Sequence, residues 1–518
     1  MVAPFPRVLA LHLVGLLVGG GVLAALPPLG AATLRVPTSY PTIQDAIVAA
    51  TAGDVVLVEP GVYTGAIDFL GKAIRVTSTD GPTATVIQHE QGPIVVFQSG
   101  EGPDSVLEGF TVRPPQPPGI MAGGIGMGIL CSQSSPTIRH NIVTGNYGLG
   151  DGGGIALVAS FARVEDNEIF SNTSVCMTQI GPCGAGGGLH IVGGAPLIVG
   201  NRIGSNNAPA LGGGVYIGGG AQALLRDNRI TANSAGVGAG IAVDVQGSVI
   251  LENNWVAQNT AGGFTLITGI FDGRGGGLYA FSGSDVTVRG CTFTENNTVM
   301  PSGPGLGEGG GLWVEDGASL ALENSIVWGN FAVSGIDLGH GPAALLMVRY
   351  SDVGGAPVPG PGNFDADPLF VAGTFLSQVA SGKSAQSPAV DAGDPASPAN
   401  LGTTRTDGAA DQGVLDLGYH ARSGVGRFIR GDCNADSATN IADAVTLLGY
   451  LFPGAIPTTV TCLDACDASD DGQLNIGDAV TLLGAIFGSP APPLAPPTSC
   501  GLDTSIPNLG CAQFGVCP

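Results

Sequence analysis

Two residue patterns alternate along the middle of this chain, and together they constrain its fold. One is an Asn pair five residues apart: Asn141/Asn146, Asn167/Asn172, Asn201/Asn206, Asn228/Asn233 and Asn254/Asn259, continued imperfectly by Cys291/Asn296 and Asn324/Asn330. The other is a Gly cluster ending against an apolar residue: Gly154-Ile155, Gly188-Leu189, Gly214-Val215, Gly240-Ile241, Gly277-Leu278 and Gly311-Leu312, at intervals of 26 to 37 residues. One and three residues after the last Gly stand apolar pairs such as Ile155/Leu157, Leu189/Ile191 and Leu312/Val314. That period of two marks a strand with one buried face. Each unit therefore reads as Gly cluster, strand, turn, strand, Asn turn. Two short strands cannot bury their faces alone, but units stacked into a parallel solenoid can. The Asn columns then form ladders, each amide bonding the next coil. Asn also tolerates the left-handed conformation that tight corners need.

Composition agrees. The chain holds 87 Gly and 37 Pro in 518 residues, which excludes a mostly helical protein. Gly does not recur every third residue, so it is not collagen. Apolar residues make up 44% and charged residues 11%, the reverse of a disordered chain. Acidic residues number 41 against 18 basic ones, for a net charge of −23, which argues against nucleic-acid binding.

The stretch Val36-Pro-Thr-Ser-Tyr-Pro-Thr-Ile-Gln-Asp-Ala-Ile47, followed by Gly53-Asp-Val-Val-Leu-Val-Glu-Pro-Gly-Val-Tyr63 and Gly71-Lys-Ala-Ile74, resembles the opening coil of the pectin-lyase-like class of right-handed parallel β-helices. The resemblance covers roughly 33–348 and implies an all-β solenoid. It says little about chemistry, because one fold hosts many functions. Thr42 and Asp45 read as a capping box for a short helix through Ala50 that plugs the open end.

Arg7, the apolar run Val8 to Leu26 and the small residues Gly30 and Ala32 read as a signal peptide over 1–32, so the protein is expected to be secreted or at the cell surface. No later stretch is long and apolar enough to span a membrane. Ten Cys suit an oxidising destination. Cys176 and Cys183 are placed to staple one loop. Cys131 and Cys291 read as small buried hydrophobes.

The units vary in length only between the second Asn and the next Gly cluster, so the variable loops stack on one edge, where repeat proteins tend to bind. Beside them, two residues after the Gly, runs an outward row: Ala156, His190, Tyr216, Ala242, Tyr279, Trp313. Exposed rings suit stacking on sugar faces. Strand propensity alone also favours aromatics there. Catalysis on a sugar chain would need paired acids or a base beside a metal-held carboxylate. The candidates on this edge are Asp272, Arg274, Asp244, Glu308 and Glu315, with Asp151 nearby, and they form no tight acidic cluster in sequence. The six His are scattered and read as surface residues.

After Asn330 the repeat decays. Residues 349–427 resemble the closing segment found after β-helices in bacterial surface proteins and are expected to cover the C-terminal end of the solenoid. Residues 428–490 hold a twofold repeat: Ile441–Phe452 and Ile476–Phe487 are identical at nine of twelve places. Each follows an acidic loop. Asp432, Asn434, Asp436, Asn440 and Asp443, and again Asp467, Ser469, Asp471, Asn475 and Asp478, occupy loop positions 1, 3, 5, 9 and 12. Oxygen donors at that spacing match an EF-hand calcium loop. Gly472 fills the sharp-turn position of the second loop, and Ser437 that of the first. The paired units resemble a type I dockerin, which implies calcium and a cohesin-like partner. Ile441-Ala442 and Ile476-Gly477 depart from the polar pairs usual at loop positions 10 and 11. A Pro- and Cys-rich tail occupies 491–518.

The expectation is a secreted β-helix that binds polysaccharide through its loop edge and attaches elsewhere through a calcium module. A polysaccharide lyase or hydrolase on that edge, and a purely structural spacer, are the alternatives.

Overall fold

The structure is a computed structural model. It describes residues 31–488 apart from 91, 116–126, 176–183, 263, 267, 268, 272, 300–306, 356, 357, 372, 399–401, 407, 408, 422–427, 437, 453–459, 461 and 471–473, with Leu494 beyond them. Asp272, Asp471, the pair Cys176/Cys183, the tail from 495 and all but the last two residues of the signal stretch lie outside the described residues.

Each coil contributes to three long parallel sheets, one more than the two strands per unit read from the sequence. The first sheet has 12 strands, from Thr33–Val36 to Leu345–Arg349. The second has 10, from Ile67–Asp68 to Leu338–His340, and follows the Gly clusters. The third has 11, from Gly61–Thr64 to Asp352–Val353, and follows the first Asn of each pair. A fourth, 6-stranded sheet from Tyr147–Leu149 to Asn297–Thr298 starts the variable loops. The extra sheet arises because the first Asn bends what looks in sequence like one continuous stretch.

The Asn residues are buried, and their side chains link coil to coil. Asn141, Asn167, Asn201, Asn228 and Asn254 form one chain of Nδ2-to-Oδ1 bonds of 3.0 to 3.1 Å. Asn146, Asn172, Asn206, Asn233, Asn259, Asn296 and Asn330 form a second, at 2.8 to 3.1 Å. The ladder Asn does not take the left-handed conformation. The residue before it does, as at His140 (φ 52), Asp166 (φ 50) and Asn253 (φ 52). Asn324, read above as a ladder residue, is such a corner residue (φ 52). Ser325 takes its rung, and its Oγ accepts from the Cys291 N–H at 3.1 Å.

The Gly column has a steric cause. A Cβ on Gly214 would stand 2.6 Å from the Gly240 carbonyl and 2.9 Å from Asn233 Nδ2. No side chain fits between the ladder and the next coil. The residues alternating after it, from Ile155 and Leu157 to Leu312 and Val314, are all fully buried in one continuous core.

The opening helix spans Ile43–Ala49, and Thr42 Oγ1 accepts from the Asp45 N–H at 3.1 Å. Its buried side, Ile43, Ala46 and Ile47, joins the solenoid core. Lys72 Nζ donates to the carbonyls of Ile47, Val48 and Ala50 at 2.7 to 2.8 Å, placing a cation on the negative end of the helix.

The outer face of the first sheet carries alternating charge. Glu108, Arg139 and Glu165 follow one another in register, and so do Arg226, Glu252, Arg289, Glu323 and Arg349. Much of the chain's small store of basic residues is used in this ladder.

The trailing segment only begins by covering the open end. Phe364 exchanges backbone bonds with Ser351 and Val353 in the last coil. Residues 370–421 then run back along the outer face of the third sheet. Leu376, Ala389 and Leu417 pack on Ile326, while Tyr419 packs beside Trp255 and Ala257. His420 donates its N–H to Asn253 Oδ1 at 2.6 Å. The path is set by apolar outward residues on the third sheet. His420 and His190 are both buried, unlike the surface residues expected.

Among the described residues beyond 428 lie three helices, Ile441–Leu451, Leu463–Cys466 and Ile476–Phe487. Cys433 and Cys466 form a disulfide. No helix among the described residues is long and apolar enough to cross a membrane.

Candidate functional site

Ala156, His190, Tyr216, Ala242, Tyr279 and Trp313 pair across successive strands of the second sheet and do form one column. It is not an open platform. His190 is 5% exposed and Tyr279 3%, because Ala185, Ala210, Leu211 and Val237 of the variable loops fold over them into a second apolar cluster. Tyr216, Phe281 and Trp313 stay half-buried at its margin. The sequence signal for this cover is the apolar character of Ala210-Leu211 and Val237, each just before a Gly cluster.

Within the column the rings are tied to one another and to charged groups. His190 stacks on Tyr216 with centroids 5.0 Å apart and planes 11° apart. Tyr216 donates its hydroxyl to Asp244 Oδ2 at 2.6 Å. Tyr279 donates to Glu315 and meets Phe281 edge-on at 4.4 Å. Arg274 pairs with Glu308 at 2.9 Å, and its guanidinium lies 5.0 Å from the Trp313 ring centre. Gly339, the next position of the column, has no room for a Cβ because the Trp313 ring lies over it.

This geometry limits the chemistry. Burial, then the hydrogen bond to Asp244, pushes the Tyr216 hydroxyl above its ordinary range. Burial and Glu315 do the same to Tyr279. Both remain protonated donors at neutral pH and neither serves as a base. Burial lowers the His190 pKa against the pull of Asp151, so the imidazole is neutral near pH 7. Asp151 accepts from the Gly184 and Ala185 N–H groups at 2.9 and 2.8 Å and so fixes a loop. Asp244 and Glu315 stand one residue past strands paired through Val243, Ala280 and Val314, so they are two coils apart. At about 4.8 Å per coil that is roughly 10 Å, too far for the retaining arrangement of two carboxyl groups.

In the C-terminal module the two loops are built alike. Asn440 and Asn475 cap their helices, and Asp443 and Asp478 complete capping boxes. Asp443 Oδ1 accepts from the Asn434 N–H and Asp478 Oδ1 from the Ser469 N–H, both at 3.1 Å. Asp432, Asp443, Asp467 and Asp478 are all essentially buried. Burial, with repulsion from Asp432 and Asp436, raises the Asp443 carboxyl pKa. Oxygen donors at this spacing are of the kind a hard divalent cation takes, while among the described residues no three His, Cys, Asp or Glu side chains converge on one metal position. Arg430, fully buried, ties to Asp470 at 2.8 Å and to the Asp467 carbonyl at 2.6 Å, bracing the second loop. Cys433 lies at position 2 of the first loop and Cys466 immediately before the second, so their disulfide joins the loops.

The three all-parallel sheets and stacked coils define a parallel β-helix. Residues 183–269 match the family model described as the right handed beta helix region. Among solved structures, pectate lyase Pel9A is similar, with a TM-score of 0.36 and 15% identity over 76% of this chain and 97% of that one. No curated protein matches the chain.

Proposed function

We propose that the protein is an exported polysaccharide-binding β-helix, non-catalytic at its loop edge and anchored elsewhere through its C-terminal module. The observation that carries the binding reading is the margin of the covered column. Tyr216, Phe281 and Trp313 remain half-exposed, each held rigidly by packing or by a charged neighbour. Rigid rings beside fixed carboxylates offer a sugar both a stacking face and hydroxyl partners at small entropic cost. Against catalysis stand the paired state of Arg274 and the engagement of both carboxylates by Tyr hydroxyls.

Calcium in the two loops rests on the donor set Asp432, Asn434, Asp436, Asn440, Asp443 and Asp467, Ser469, Asp471, Asn475, Asp478. Bound, it would neutralise the clustered carboxylates and stabilise the module by mass action. The second half of the reading is a dockerin-like attachment to a cohesin-like or other protein partner. It is supported by matching exposed stripes, Ile441, Val445 and Phe452 on one helix and Ile476, Val480 and Phe487 on the other. The same three residue types recur at the same three helical positions.

The test is a glycan array probed with the full chain, with product analysis of every hit. Binding without cleavage, weakened at least tenfold by Trp313→Ala, is expected. Cleaved product would instead establish a lyase or hydrolase, and no binding to any glycan would leave the spacer reading.

A further inference from the structure

A groove lies away from the loop edge, on the outer face of the third sheet. It measures 530 Å³. Its floor is built by Glu168–Phe170, Arg202–Gly204, Arg229–Thr231 and Trp255–Ala257, with Gln258 and Glu295 on one rim and Gly373 and Thr374 of the trailing segment on the other. Trp255 closes one end, edge-on to Phe370 at 5.7 Å and Tyr419 at 6.0 Å.

Arg202 and Arg229 are direct register partners in this floor. Elsewhere on the solenoid, ionised residues in direct register alternate in sign: Glu108 with Arg139, Arg226 with Glu252, Arg289 with Glu323, and Glu168 with Arg202. Among the described strands, Arg202 and Arg229 are the like-charged neighbours. Like charges directly opposite destabilise a sheet. A fold that alternates charge so consistently breaks its rule where this groove lies. Phe170, 37% exposed, adds a flat apolar face, and Thr231 and Gln258 add hydroxyl and amide groups.

We infer that this groove binds a carboxylate-bearing saccharide, the carboxylate bridging Arg202 and Arg229 and the sugar ring lying on Phe170. Planar guanidinium forks match a carboxylate in geometry as well as charge. Nothing in the inference depends on the loop edge, which is separated from the groove by the second Asn ladder.

The test is calorimetric titration of the full chain with an oligoglucuronate, its neutral methyl ester and a sulfated oligosaccharide. The acid is expected to bind at least tenfold more tightly than the ester, and to weaken as salt rises. Arg229→Gln is expected to lose that preference. Arg226→Gln, which removes an equal charge from the first sheet, should keep it. A melting temperature for Arg229→Gln equal to or above the parent's would separate ligand loss from unfolding, since removing the repulsion should not destabilise. A Phe170→Ala variant gives a second reading should Arg229→Gln fail to fold, with weaker binding of the acid expected. Equal binding of acid and ester, or equal loss in Arg226→Gln, overturns the inference. Preference for the sulfated chain over the acid overturns the carboxylate assignment.

Discussion

Asn254 gives both its backbone N–H and its side-chain amide to the thiol of Cys291, at 3.3 and 3.7 Å. Cys291 thus replaces Asn in the first ladder, and it is a hydrogen-bonded rung as well as the small buried core residue expected. Burial pushes its thiol up to about 12, so it stays neutral. Cys291→Ala would leave the buried Asn254 N–H unpaired, while the Asn254 side-chain amide keeps its bonds to the Leu225 and Glu252 carbonyls, and would cost about 1–3 kcal/mol. Cys291→Asn would restore the ladder and raise the melting temperature. Thermal unfolding of the two variants checks both signs, and a stable Ala variant would show that the rung contributes nothing.

The Gly column predicts intolerance of the smallest side chain. Gly214→Ala places a methyl 2.6 Å from a backbone carbonyl of the next coil, which only backbone movement can relieve. The expected loss is about 1–3 kcal/mol in denaturant unfolding. Gly220→Ala meets open space, and its cost should come only from its positive φ of 73°.

Asp352 sits fully buried at the last coil, and desolvation first, with Asp365, Asp337 and Asp367 adding to it, raises its pKa to about 7. A carboxyl raised in the folded state binds more protons than the unfolded chain between about pH 4 and 7. Its contribution is therefore greatest at low pH and is lost as pH rises to 7, by about 2–4 kcal/mol. Asp352→Asn should remove that loss. The melting-temperature difference between Asn variant and parent should grow from pH 4 to pH 7 and then level off. A difference independent of pH would contradict the assignment.

Lys72 closes the opening helix by donating to three of its last carbonyls. Lys72→Met keeps the apolar stem and removes the donors. About 1–2 kcal/mol should be lost, with hydrogen exchange rising in residues 43–50 before the rest of the core. Uniform exchange would mean that the cap does not open independently.

Calcium should raise the melting temperature of the C-terminal transition, by an amount equivalent to about 2.7 kcal/mol at a hundredfold excess over the dissociation constant. Asp443→Asn and Asp478→Asn should each remove one binding event from a calcium titration. Two undiminished events in either variant would exclude these loops as the site.

The solenoid was legible because its constraints are local and periodic. The Gly-then-apolar alternation marks the inward face at Ile155, Ile191 and Ile217 without reference to any distant residue. The Asn spacing marks the two ladders in the same way. At Asn324 the spacing points one residue off the rung, because Ser325 accepts the hydrogen bond where Asn usually does, while Cys291 holds the rung its spacing assigns. The ring column was found in the right register, yet its exposure was not. Burial of His190 and Tyr279 depends on loops whose path no strand periodicity encodes.

The coil, the ladders, the opening cap and the doubled acidic loops can be read from residue spacing within one or two repeats. Which surfaces remain open depends on how distant parts of the chain pack. Arg202 and Arg229 are 27 positions apart in sequence and become neighbours through the stacking of coils. The groove around them exists because a segment some 170 residues further along lies back against the third sheet. Such contacts join distant parts of the chain through shape and apolar complementarity, and no local pattern records them.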